Sequence, residues 1–232
     1  MINIYFVPEN LELRDSSFTI ILTGICSISF LLIGIARFYN NRSIVTVFGV
    51  YLKQEGVEQA LKENMRLGSL SSILLNLSYF ICSGLCIFLF CNQYLDWNWT
   101  QSIIIGNILP LLIFLIETIG MILTGWISGE QQHIGSTVTN VIIGNAVYAI
   151  FFSFLGLFWI MNPKFSVIFS IIFISLLALK TVIRILKNGF LVFNKGVSWY
   201  YIILYFCTLE VLPIVVLYYC VEKNLWSQLS WI

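Results

Sequence analysis

Six long apolar runs dominate the chain and leave few folds open to it: Ser17–Ala36, Leu70–Cys91, Ile103–Trp126, Thr137–Met161, Phe165–Lys187 and Ser198–Val221. Each is close to the ~20 apolar residues that a helix needs to cross the hydrocarbon core of a bilayer. The runs are continuous, whereas strands of a membrane barrel would alternate polar and apolar at every second residue. Within lipid each backbone N–H and C=O must be paired inside its own segment, which a helix does by itself. The expected fold is therefore all-α: a polytopic membrane helical bundle of about six transmembrane helices, forming a single integral membrane domain over residues 1–232.

Composition agrees with this reading. Of the 232 residues, 59% are hydrophobic and 10% charged. Soluble domains carry roughly a quarter charged residues. A soluble fold so poor in charge would expose large apolar patches. The net charge of +1 gives no basic footprint for nucleic acid. Residues Glu9, Glu12, Arg14 and Asp15 precede the first run, so a basic leader is not expected there. Four of the six cysteines, Cys26, Cys82, Cys86 and Cys91, lie in the first two apolar runs, and Cys207 and Cys220 in the last. None forms a Cys-x-x-Cys pair, and in such surroundings cysteine behaves as a small hydrophobe. With His133 as the single histidine, no metal site and no cofactor motif is expected.

Lysine and arginine set the expected orientation. With the N-terminus outside, Arg37, Arg42, Lys53, Lys62, Arg66, Lys180, Arg184, Lys187 and Lys195 fall on or near the cytoplasmic side, and Arg14, Lys164 and Lys223 outside. Both termini are accordingly expected outside. The largest segment between spans, residues 37–69, is expected on the cytoplasmic side as two short amphipathic helices. Its first apolar face holds Ile44, Val47, Phe48 and Tyr51, its second Val57, Ala60, Leu61 and Met65. Such helices lie on the membrane surface or on the bundle, or dock a partner.

The informative residues are the polar ones inside the spans. Glu117 and Glu210 lie deep in the third and sixth runs. A charge at the bilayer centre costs at least ~2.5 kcal/mol, so it faces the bundle interior, pairs, or is neutralised. Lys180 is the expected partner: Glu117 and Lys180 are roughly 21 and 22 Å below the outer ends of their spans, and Glu210 roughly 18 Å above the inner end of its own, at 1.5 Å per residue. Lys180, Arg184 and Lys187 share a helix face at i, i+4 and i+7, so Arg184 is the alternative partner. Small and polar residues mark further helix contacts: Ser69, Ser72, Asn76, Tyr79 and Ser83 in the second run; Asn107, Pro110, Gly120 and Thr124 in the third; Asn140, Gly144 and Asn145 in the fourth. Pro110 and Pro213 are expected to kink their helices and free carbonyls near the carboxylates.

The last span, with Leu204, Tyr205, Cys207, Thr208, Leu209, Glu210, Leu212 and Pro213, resembles the C-terminal signature of an uncharacterised polytopic inner-membrane family of the Bacteroidota. In that family a Leu-Glu-aliphatic-Leu-Pro run closes the last helix. Ala36–Arg42 after the first span is similar too. The resemblance implies a bacterial inner membrane and draws attention to Glu210; it implies no activity. Three functions then stand open. The chain is a non-catalytic scaffold, assembly factor or complex subunit, with the lipid bilayer and other membrane subunits or a second copy as partners. Alternatively it is a small-molecule or proton-coupled transporter using the carboxylates. An intramembrane serine protease would need a buried Ser–His pair, and His133 is expected in the short 128–136 loop.

Overall fold

A computed structural model of the chain describes residues 16–39, 47–49, 51, 69–94, 99–127 and 131–193. The expected sixth span, with Glu210 and Pro213, lies outside the described residues, as do residues 52–68 of the expected cytoplasmic segment.

Among the described residues there are five long helices: α1 (Ser16–Tyr39), α2 (Leu70–Tyr94), α3 (Trp99–Ile127), α4 (Gln131–Met161) and α5 (Ser166–Phe193). Each contains a stretch long and apolar enough to cross a membrane: Thr19–Tyr39, Leu70–Tyr94, Thr100–Gly120, Val138–Met161 and Pro163–Arg184. The helices outrun the apolar runs because backbone pairing continues past the apolar stretch. The 128–136 loop is accordingly corrected: α4 starts at Gln131, and His133 belongs to its first turn.

The turn between α4 and α5 follows from its sequence. Pro163 opens a single 3-10 turn, Pro163–Phe165, where its missing N–H costs nothing. The Asn162 N–H still bonds Phe158 O at 3.0 Å, and the Phe165 N–H bonds Asn162 O at 3.1 Å. So tight a reversal makes α4 and α5 antiparallel neighbours.

α2 is the centre of the bundle and packs on α1, α3 and α4. Its contact with α3 is set by two glycines. A Cβ on Gly84 would stand 2.7 Å from the Gly106 carbonyl oxygen, and one on Gly106 2.6 Å from the Gly84 oxygen. The two backbones touch because neither residue has a side chain. Pro110 strengthens the effect. It has no N–H to offer the Gly106 carbonyl one turn back, and that oxygen lies against Gly84 instead.

Between α1, α2 and α4 the core holds Cys26, Tyr79, Cys82, Cys86, Phe152 and Trp159, with Phe173 of α5 against them. A hydroxyl knot ties the three helices: Ser29 Oγ is 2.5 Å from Ser78 Oγ and 2.9 Å from Ser153 Oγ, and Cys82 Sγ is 3.1 Å from Ser153 Oγ. Residues 47–49 and 51 are helical and pack on the bundle. Val47 is buried with Ile33 and Ala36 of α1, Leu75 of α2 and Ile143, Ala146 and Val147 of α4. The apolar face expected from Val47, Phe48 and Tyr51 is thus turned onto α4, with Phe48 edge-on to Phe151 and Tyr51 edge-on to Tyr148.

α4 is largely buried, whereas α3 and α5 present ridges such as Ile104, Ile108, Leu111 and Leu115, and Ile168, Ile171, Leu179 and Val182. Surfaces of this kind are stable against acyl chains.

Candidate functional site

Near the end of the bundle where α1 finishes and α2 begins, α5 carries Lys180, Arg184 and Lys187 on one face. Successive members are offset by about one turn of helix, so each points to a slightly different neighbour. The Lys180 ammonium donates to the Tyr79 hydroxyl of α2 at 2.5 Å and stands 4.0 Å from the centre of that ring. Arg184 forms an ion pair with Glu117 of α3, both side chains almost wholly buried. Lys187 donates to the main-chain carbonyl of Tyr51 and lies over its ring at 4.4 Å. One face of α5 therefore braces α2, α3 and the helical turn that follows α1.

Glu117 is the one carboxylate among the described residues. It pairs with Arg184 rather than Lys180, although its charge also acts on Lys180. Among the described residues, three basic side chains on this face thus stand with a single carboxylate. The oxygens that receive the two lysines are neutral.

Between Tyr51, α4 and α5 lies a small cleft open to its surroundings, lined by Tyr51, Asn140, Val141, Gly144, Lys180, Arg184 and Lys187. Lys187 and Tyr51 lie outside the membrane-crossing stretches. Burial holds the Lys187 pKa below the usual lysine value. Burial also pushes the Tyr51 phenol above its ordinary value, and its hydrogen bond with Tyr148 adds to this.

The other polar positions singled out from the sequence are placed as follows. Asn140 lines the cleft. Asn145, its neighbour on α4, is buried, with its Oδ1 unpartnered. Asn76 donates back to Ser72 O at 2.9 Å within α2. Pro110 acts at the α2–α3 contact rather than beside Glu117. Glu210 and Pro213 lie outside the described residues. Sequence reasoning did not single out the Ser29–Ser78–Ser153 knot or the Gly84–Gly106 contact. The signal for both was small residues inside apolar runs, which many neighbouring positions share. Among the described residues no group of three or more His, Cys, Asp or Glu side chains is arranged to hold a metal ion.

A family model described as a domain of unknown function (DUF4271) matches residues 19–221. The chain belongs to the DUF4271 family. No curated protein and no solved structure matches it. The DUF4271 match begins in α1 and ends beyond α5, so it takes in the basic face of α5, Glu117, the glycine contact and the segment around Glu210.

Proposed function

We propose that this DUF4271 protein is a multi-pass protein of a bacterial inner membrane and serves as a non-catalytic scaffold, assembly factor or subunit of a larger membrane complex. One observation carries the reading: among the described residues, the charged side chains buried in the helices brace the bundle. Lys180, Arg184 and Lys187 tie α5 to three other elements, and Glu117 is engaged by Arg184. A carrier has to break and remake such contacts in every cycle, whereas a scaffold gains from a rigid frame. The Gly84–Gly106 backbone contact adds to that rigidity. Of the five basic residues in the described segments, Arg37, Lys180, Arg184 and Lys187 gather toward one end and Lys164 stands at the other. That asymmetry favours a cytoplasmic basic end, with both termini outside and the expected sixth span returning the chain.

The test is a mild-detergent pulldown of the tagged chain from its native membrane, with mass spectrometry of what accompanies it. A stoichiometric partner is expected. A clean homo-oligomer, together with pH-dependent uptake into liposomes that is lost in Glu210→Gln, would overturn the reading in favour of transport.

A further inference from the structure

We propose that the cleft between Tyr51, α4 and α5 binds the phosphate of an anionic phospholipid, taken from the leaflet at the basic end of the bundle. Its charge is the first reason. Lys180, Arg184 and Lys187 all line it, and the one described carboxylate, Glu117, is already paired with Arg184. Lys180 and Lys187 donate to neutral oxygens, the Tyr79 hydroxyl and the Tyr51 carbonyl. An ammonium carries three N–H donors. Buried ammonium groups in a partly enclosed cleft are stabilised by an anion that accepts the remaining ones.

Depth is the second reason. The membrane-crossing stretch of α5 ends at Arg184, and Lys187 stands about one turn beyond it. The cleft therefore sits where the hydrocarbon gives way to headgroups, and there lipid phosphate is the most concentrated anion. Basic pockets between helices at this level are a recurrent means of holding anionic headgroups. Shape is the third. At Gly144 the α4 wall has no side chain, and a Cβ there would meet only the Tyr51 ring at 3.5 Å. Asn140 adds an amide beside the cations. Outside the cleft, Leu179, Val182 and Leu186 of α5 are exposed and offer an apolar track for an acyl chain. A soluble phosphate would have no use for that track.

The full chain, purified in a neutral detergent, is titrated with phosphatidylglycerol, with phosphatidylethanolamine and with inorganic phosphate, and bound lipid is read by native mass spectrometry alongside the melting temperature. Retention of phosphatidylglycerol over phosphatidylethanolamine is expected, with a higher melting temperature in the bound form. Lys187→Gln is expected to bind about tenfold more weakly, the size of one charge-assisted hydrogen bond, and Lys187→Arg to bind as the parent does. Gly144→Leu keeps every charge and fills the cleft; it too is expected to lose the lipid, which keeps the test valid if Lys187→Gln does not fold. Equal binding of the two lipids, or full binding by Gly144→Leu, would overturn the site. Displacement of phosphatidylglycerol by millimolar inorganic phosphate would reassign it to a soluble anion.

Discussion

Arg184 of α5 reaches Glu117 of α3 and forms an ion pair whose two side chains are only 13% and 10% exposed. These two helices share little other contact, so much of the link between them runs through this one pair. Removing one member leaves an uncompensated charge in a poorly solvated place, at a cost of about 3 kcal/mol or more. Glu117→Gln should lower the melting temperature in detergent clearly. Combining Glu117→Leu with Arg184→Leu should recover most of the loss, since well-packed apolar residues replace a buried pair at little cost. A double variant as unstable as the single one would argue against the pair as the link.

Lys180 depends on Tyr79 for both a hydrogen bond and a ring contact. Tyr79→Phe keeps the ring and removes the acceptor. The expected destabilisation is ~1–2 kcal/mol, and Lys180→Leu should cost a similar amount. Thermal unfolding followed by tryptophan fluorescence would measure both. Two unchanged transitions would mean that the contact contributes nothing.

Gly84 and Gly106 make a sharper prediction. The Cβ of Gly84→Ala would sit 2.7 Å from a carbonyl oxygen of the backbone, which has no rotamer by which to retreat. Parting of α2 and α3 should cost about 1–3 kcal/mol, the usual size of an overpacking penalty. Gly24→Ala is the control, with nothing within 4 Å of its Cβ. It should fall within roughly 0.5 kcal/mol of the parent. Equal effects from the two alanines would remove the case for a backbone contact.

Ser29 joins Ser78 and Ser153 in the middle of the bundle. Ser29→Ala should cost on the order of 0.6–1.7 kcal/mol, the range for polar contacts between membrane helices. Ser27→Ala is the comparison, because its hydroxyl only bonds back to Thr23 O in its own helix at 2.9 Å. Denaturation of the two variants side by side should show the larger loss for Ser29→Ala.

Much of the architecture was legible in the residues alone. Five of the six expected spans correspond to α1–α5, because hydropathy over some twenty residues reports directly what lipid tolerates. Helix ends were less legible: Gln131–Ser136 looked like loop because they are polar, yet they continue α4. The basic face of α5 was legible as well, since the spacing of Lys180, Arg184 and Lys187 follows from 3.6 residues per turn.

Sequence by itself thus determined that the chain is a bundle of apolar helices, and that its few buried charges would have to find partners. It did not determine which partners. Counting residues along a span measures depth along one helix. Pairing also depends on how far each helix is rotated and how closely it approaches its neighbours. Four residues along α5, a step of roughly 40° around the axis and 6 Å along it, separate Lys180 from Arg184. That small difference turns Lys180 to Tyr79 and Arg184 to Glu117. For α5 the rotation is set by its packing on α4, where Phe173 meets Phe152 and Trp159 from a distant part of the chain.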